Sequence, residues 1–393
     1  MTLDTEIARV VAADNCSGCG GCLLLDAGLA LELDDAGFAR PVRVGPSTAR
    51  PDAAARFATS CPGRTVSAHH DPAAERHPTM GSVLGAWEAW ATDPEVRRAG
   101  SSGGTLTALT AWLTASGRAS HVTGAAPSAV DARRTVSVTI TTREQALAAA
   151  SSRYGPVTGR PGDVHPDSAI VGTPCRVAAV RALAPGEEAP LLLSFYCAGT
   201  PSQLATDTLA TELGAAGPAR TLRYRGDGWP GRFTVSRSDG SLASLSYQES
   251  WGEHLGRAVQ WRCKICPDGV GESADVVAAD LWESDDRGYP SFSEREGVSA
   301  LIARTPRGLA LVLDAIAAGV LEATPLDIAR LAAVQPLQVD RRETLIGRLI
   351  GAILAGGVVP RYRGFGLARL AFPRWRETAR VARGTYRRRK SIA

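Results

Sequence analysis

Eight cysteines fall into two sets of four along a chain of 393 residues, and this limits the possible folds more than any other feature. Three stand at Cys16, Cys19 and Cys22, a C-x2-C-x2-C run, and Cys61 precedes Pro62. In the bacterial ferredoxin pattern such a run is followed, three residues on, by a cysteine that serves another cluster. Asp26 occupies that place here, so Cys61 is the expected fourth ligand. Four thiolates suffice for one [4Fe–4S] cluster. Gly18, Gly20 and Gly21 let backbone N–H groups approach the sulfurs. Zinc is the alternative occupant of the same four thiols. The tight run followed by Cys-Pro favours iron–sulfur.

The second set is Cys175, Cys197, Cys263 and Cys266. Cys263-Lys-Ile-Cys266 alone suits zinc, iron–sulfur or redox thiols. Gly172-Thr-Pro-Cys175 follows an apolar strand, with Thr173 fitting a helix N-cap and Pro174 the first helical position. That setting places Cys175 in a first turn, where the helix dipole lowers a thiol pKa. Cys197-Ala-Gly-Thr-Pro201 repeats the arrangement after the next strand. Both cysteines are therefore expected at the carboxyl ends of parallel strands, the usual ligand edge. The bland reading is a pair of buried core thiols; the second [4Fe–4S] cluster is the favoured one, with zinc behind it.

Hydrophobic residues make up 44% and charged residues 21%, which excludes collagen, coiled coil and wholesale disorder. The net charge of +4 is too small to argue for nucleic acid over the whole surface. No segment reaches the eighteen or so uninterrupted apolar residues of a membrane helix, and no basic-then-apolar leader opens the chain. A cytoplasmic protein is expected, where reduced thiols serve as metal ligands before disulfides.

The expected fold is mixed, α+β followed by α/β. Residues 1–80 read as a small ferredoxin-like module, with a hairpin (Leu29–Leu33, Phe38–Val42) and a short helix near Ala53–Thr59. Residues 81–334 alternate strands (His121–Gly124, Val136–Thr141, Ala169–Gly172, Leu191–Tyr196, Asp275–Ala279, Ser299–Ala303) with helices. That alternation predicts a mostly parallel sheet. Residues 335–393 form a basic helical extension. From Arg361 to Ala393 there are eleven cations against one acid, Glu377, with five interleaved aromatics. Such a tail would dock an acidic ferredoxin or other electron-transfer protein, an anionic membrane surface or nucleic acid. The first two are the favoured partners, and nucleic acid is not. A solvated, fraying helix is the plain alternative.

Eight ordered segments resemble the coenzyme F420 hydrogenase/dehydrogenase β-subunit family, which includes plant 7-hydroxymethyl chlorophyll a reductase. They are Ser101-Ser-Gly-Gly-Thr105, Ser152-Arg-Tyr154, Gly172-Thr-Pro-Cys-Arg176, Phe195-Tyr-Cys197, Gly199-Thr-Pro-Ser202, Tyr224-Arg-Gly-Asp-Gly-Trp-Pro-Gly231, Arg262-Cys-Lys-Ile-Cys266 and Ser273-Ala-Asp275. With the N-terminal cysteines they span roughly residues 10–310. The resemblance implies an FAD-containing iron–sulfur protein, and the two cysteine sets account for two [4Fe–4S] clusters. It also implies hydride exchange with a deazaflavin, coenzyme F420, or reduction of a bound small-molecule substrate. The chain has no sequence-evident nickel-binding large subunit and would not split hydrogen alone. The rival is a non-enzymatic iron–sulfur electron-transfer or scaffold subunit without flavin.

The G-x-G-x-x-G fingerprint is absent after a first strand. Ser101, Ser102, Gly103 and Gly104, leading into a helix at Thr105, offer the same physics for a pyrophosphate; a plain glycine turn with a Ser cap is the alternative. Ser152, Arg153 and Tyr154 are candidates for the flavin or its ribityl chain, or else a helix C-cap with a surface pair. Trp229 sits in a rigid turn able to wall one ring face, or packs as an ordinary turn. Asp275 and Asp280 are assigned no acid role. His121, His165 and His254 stand outside any motif, and no catalytic residue is assigned.

Overall fold

A computed structural model describes residues 2–162, 164–186, 189–284, 290–291 and 295–391. Its centre is a nine-stranded sheet. In spatial order the strands are Leu321–Pro325, Gly85–Ala91, Ser299–Ala303, Val276–Asp280, Leu191–Phe195, Ala169–Gly172, Val122–Pro127, Thr135–Ile140 and Val157–Thr158. The four strands from Val276–Asp280 to Val122–Pro127 are mutually parallel. The flanks are not: Ser299–Ala303 runs antiparallel to Val276–Asp280, and Thr135–Ile140 antiparallel to Val122–Pro127. Parallel pairing holds across the middle and returns at one end, between Thr135–Ile140 and Val157–Thr158, so the sheet as a whole is mixed. Central strands read as continuous apolar runs because both faces are covered. Val276, Val277, Ala300, Leu301, Ile302 and Ala303 are all fully buried.

This order brings the carboxyl ends of the parallel strands to one edge. Antiparallel neighbours reach that edge by their opposite ends. Ser299 pairs with Asp280 and with Ala89, so the start of the Ser299 strand and the end of the Gly85–Ala91 strand lie there too. The segments that follow Ala169–Gly172 and Leu191–Phe195, and the loop before the Thr105–Ala115 helix, open from this edge.

The N-terminal module holds a helix (Leu3–Ala12), the hairpin Leu29–Leu33 with Ala39–Arg43, and a helix at Ala53–Ser60. Its own core joins Leu3, Ile7, Val10, Leu29, Leu31 and Phe57. Asp26, at the place of the missing ferredoxin-pattern cysteine, organises the loops. Its carboxylate accepts from Gly28 N–H (2.8 Å), Thr48 N–H (3.0 Å), Ser47 Oγ (2.7 Å) and Arg43 Nη2 (2.8 Å). Burial alone would raise this carboxyl, but those donors outweigh it and hold the group well below the usual carboxylate range.

The C-terminal extension is knitted into the rest. Strand Arg361–Arg363 pairs in parallel with Thr65–Ser67 of the N-terminal module. Helix Trp375–Lys390 packs along helix Pro336–Leu354. Gly347 and Gly351 permit this contact, since a Cβ there would stand 2.4 Å from Thr378 O and 2.3 Å from Ala382 O. The extension is therefore a packed element and not a fraying helix.

Candidate functional site

The first cysteine set is built from a loop and a helix end. Gly18 and Gly20 adopt left-handed backbone conformations, with φ of +69° and +73°, which turn the chain between the cysteines. Cys61 caps the Ala53–Ser60 helix. Cys16, Cys19, Cys22 and Cys61 line one cavity together with Ile7, Leu31, Phe57 and Pro62. The apolar walls desolvate the thiols, and burial pushes Cys16, Cys22 and Cys61 upward, with neighbouring cysteine charges adding to the rise of Cys22 and Cys61.

The second set hangs from the sheet edge. Cys175 lies in the first turn of the Pro174–Leu183 helix, after Thr173 at the N-cap and Pro174. The Thr173 hydroxyl forms no cap bond and sits 3.2 Å from Cys175 Sγ. Burial raises the Cys175 thiol well above its ordinary value, with the charge of Cys19 next in importance. The lowered thiol expected from the helix dipole is therefore not found, because desolvation is the larger effect. Cys197 also departs from expectation. It leaves its strand correctly, but Gly199–Ser202 intervene before the Gln203–Glu212 helix, so it is not in a first turn. Burial pushes its thiol up to about 12. Cys263 lies in the short helical turn Trp261–Lys264, and Cys266 follows it after Ile265. Cys263 Sγ accepts from Thr200 N–H (3.4 Å) and Gln260 Nε2 (3.6 Å). Cys197 and Cys263 each lie within electrostatic reach of Cys175, of Cys266 and of each other. Among the described residues, no three His, Cys, Asp or Glu side chains gather tightly enough for a single metal ion.

Three side chains tie the two sets together. Arg176 donates to Cys19 O (3.3 Å), Gln260 to Ser17 O (3.0 Å), and Arg262 to Pro62 O (2.8 and 3.2 Å). The helix carrying Cys175 comes close enough that a Cβ on Gly21 would stand 2.7 Å from Ala179 Cβ. Arg176 Nη2 is buried without a partner among the described residues. An orphaned cationic donor beside Cys19 and Cys175 suits an anionic group held by thiolates, so the residues fit the implied clusters.

The glycine loop opens from the same edge at Ser299, with the Val276–Asp280 strand between it and the strand that leads to Cys197. Ser101 Oγ accepts from Ser152 Oγ (2.7 Å), Ser102 Oγ donates to Val298 O (2.8 Å), and Gly103 N–H donates to Ser299 Oγ (3.0 Å). The glycines have internal reasons to be glycine. A Cβ on Gly103 would lie 2.5 Å from Ala89 O, and one on Gly104 would lie 2.6 Å from Val96 O. The helix Thr105–Ala115 then begins with Thr105 Oγ1 buried and unpartnered among the described residues. That orphan at a helix N-terminus fits a phosphate oxygen.

Ser152 thus joins the loop, while Arg153 turns inward. Its guanidinium donates to Thr135 Oγ1, Leu222 O, Ala132 O and Arg134 O, and stacks over Tyr224. It is committed to protein acceptors and acts as a clamp. Tyr154 packs against Tyr224 and Trp251 and holds Arg225 Nη1 at 3.4 Å. Trp229 is buried with its ring 4.4 Å from that of Trp282.

Sequence reasoning missed Arg225. It is fully buried, pairs with Asp280 Oδ2 at 2.6 Å, and stands over the rings of Trp229, Tyr247 and Trp282 at 4.8–5.3 Å. The Ser151 hydroxyl donates to its carbonyl. Ser151 and Asp227 hold positive φ values of 94° and 57°, uncommon for residues with side chains. The available signal was Asp280, two residues before Trp282 at the end of an apolar strand. His121, His165 and His254 take no part in these arrangements.

Two family profiles match this chain. The coenzyme F420 hydrogenase/dehydrogenase β-subunit N-terminal profile covers residues 86–159 and the C-terminal profile residues 167–329, together more than half of the chain. The coenzyme F420 hydrogenase subunit β of Methanococcus voltae is 26% identical over 279 residues, covering 67% of this chain and 93% of the relative. A chain of the F420-reducing [NiFe] hydrogenase complex from Methanosarcina barkeri aligns with a TM-score of 0.47 at 20% identity, covering 70% of this chain and 96% of that one. The glycine loop, Ser152, Arg225 and Cys175, Cys197, Cys263 and Cys266 all fall within the matched residues, and the chain belongs to the coenzyme F420 hydrogenase/dehydrogenase β-subunit family.

Proposed function

We propose that this chain is a cytoplasmic flavin- and iron–sulfur-dependent oxidoreductase linking a one-electron protein donor, such as a ferredoxin, to coenzyme F420 or another small organic substrate. Cys16, Cys19, Cys22 and Cys61 would hold an outer [4Fe–4S] cluster, and Cys175, Cys197, Cys263 and Cys266 an inner one. Ser101, Ser102, Gly104, Thr105 and Ser152 would line the FAD phosphates, with Tyr154 and Trp229 in the aromatic wall behind them. When bound, the clusters supply single electrons and FAD supplies the exchange between single electrons and hydride. The protein's part is placement. Arg176, Gln260 and Arg262 hold the two thiol sets against each other, and the inner set and the glycine loop open from one sheet edge.

The observation that carries this reading is the triple bridge between the cysteine sets. Electron transfer between two clusters needs the two thiol sets held close together, and these bonds hold them so. Protein purified without oxygen should carry about eight irons on the count of ligands, with one FAD, and should reduce or oxidise F420 with a chemical donor or acceptor. About eight irons without flavin would select the electron-transfer subunit reading. Stoichiometric zinc in place of half the iron would remove the inner cluster.

A further inference from the structure

The extension after residue 335 lies outside the matched family region, and its outer face is unlike the rest of the surface. Helices Pro336–Leu354, Leu367–Ala371 and Trp375–Lys390 enclose an open apolar groove of about 900 Å³. Ile346, Ile350, Leu354, Phe372, Trp375 and Tyr386 line it. Several protrude: Phe372 is 82% exposed, Leu354 65% and Trp375 62%.

Charge is arranged beside this face. Arg376, Arg380, Arg383 and Arg387 recur at spacings of four, three and four, so they form one row along the last helix, and all four are exposed. Trp375, Ala379, Ala382 and Tyr386 form the neighbouring row, and Thr378 and Thr385 are buried against the Pro336–Leu354 helix. Among the described residues none of the four arginines has a carboxylate partner. The helix's single acid, Glu377, is taken by Arg374. Apolar side chains, boundary aromatics and an unbroken arginine row are the arrangement of a helix lying in a lipid interface, its cations at headgroup phosphates. No described helix is long and apolar enough to cross a membrane.

We propose that this face docks on an anionic lipid bilayer. Phe372, Trp375 and Leu354 enter the headgroup–acyl boundary, and the arginine row meets lipid phosphates. The inference does not rest on the redox reading. If that reading holds, docking has a consequence for it. Arg348 donates to Lys264 O, and Arg389 stacks over Trp261, so the lipid-facing helices also cover the Cys263–Cys266 turn.

The test is vesicle co-sedimentation of the full chain, using phosphatidylcholine alone and phosphatidylcholine mixed with phosphatidylglycerol. Binding should require phosphatidylglycerol and fall steeply with salt. Neutralising Arg380 and Arg383 to Gln should weaken it roughly fivefold per arginine. Phe372→Ser with Trp375→Ser should abolish it, and Val130→Ser, an exposed apolar control elsewhere, should leave it unchanged. Circular dichroism and iron content verify folding. The lipid and salt dependence of the unmodified protein stands as a test even if the double variant misfolds. Absence of binding to phosphatidylglycerol vesicles at low salt would overturn the proposal. So would dimerisation lost in the Phe372 variant, or capture of an acidic helical peptide in place of vesicles.

Discussion

Arg262, the residue before Cys263, donates twice to the carbonyl oxygen of Pro62, the residue after Cys61, at 2.8 and 3.2 Å. Arg176, the residue after Cys175, reaches Cys19 O in the same way. Each half of the inner cysteine set thus sends an arginine to the outer set. A buried guanidinium beside thiolate-held anions favours the reduced, more negative state. It also fixes the spacing across which an electron would move.

Arg176→Gln tests this relationship with little change in volume. Iron content should hold, since no ligand changes. Loss of a charged hydrogen bond of about 1.4 kcal/mol would lower a one-electron potential by roughly 60 mV. Redox titration followed by electron paramagnetic resonance measures this. A potential unmoved by the substitution would make Arg176 a packing residue only.

Flavin retention is best probed at the hydroxyls, not the glycines. Gly103 and Gly104 meet Ala89 O and Val96 O, so a β-branched residue there would displace protein backbone whether or not flavin binds. Ser152→Ala and Thr105→Val alter only polar atoms. The double variant should lower FAD affinity by about tenfold, for roughly 1.4 kcal/mol of hydrogen bonding, while iron stays constant. Equal flavin content in the variant and the parent, measured after extensive dialysis, would place the phosphates elsewhere.

Asp26 gives the N-terminal module its acid sensitivity. Its carboxyl is held below the ordinary value in the folded chain. The stability it contributes is therefore full above the unfolded pKa of about 4 and is lost as pH falls from there towards the depressed folded value. Asp26→Asn should lower stability near neutrality by about 1–3 kcal/mol, because Arg43 and two backbone N–H groups lose a charged acceptor. The difference from the parent should shrink as pH drops below about 4. Denaturant melts at two pH values measure it, and a gap that does not depend on pH would show that the carboxylate's charge is unimportant.

Local chemistry made much of this legible in advance. Thr173-Pro174 marked the start of the Cys175 helix, and the apolar runs Ala169–Gly172 and Ser299–Ala303 gave their strands residue for residue. Spacing and the Cys61-Pro62 pair were enough to expect Cys16, Cys19, Cys22 and Cys61 around one cavity. What escaped was non-local. Whether Ser299–Ala303 runs parallel or antiparallel to Val276–Asp280 depends on a connection whose path no periodicity records. Gly85–Ala91 mixes two tryptophans and a glutamate and did not read as a central strand, yet it pairs on both sides. Arg225, Arg262 and Arg304 are fully buried, and nothing in their sequence spacing announces it. Arg153 lay inside a motif suggestive of flavin, but its donors reach four acceptors that only the fold assembles.

Removing residues 376–393 would have read as a test of charge alone had the tail been a loose end. The packing predicts a different result. Thr378 and Thr385 are buried against the Pro336–Leu354 helix, Arg389 pairs with Asp14 and stacks over Trp261, and Lys264 O accepts from Arg348 on the uncovered partner helix. Truncation should therefore expose the Cys263–Cys266 turn and lower the melting temperature by several degrees, the scale of 1–2 kcal/mol in a chain this size. It should release iron from the inner set before the outer one. Charge neutralisation at Arg380 and Arg383 should do neither, because both side chains are exposed. Thermal melting with iron counting on the two variants separates the roles. Equal melting temperatures and equal iron would mean that the last helix covers nothing the cysteines need.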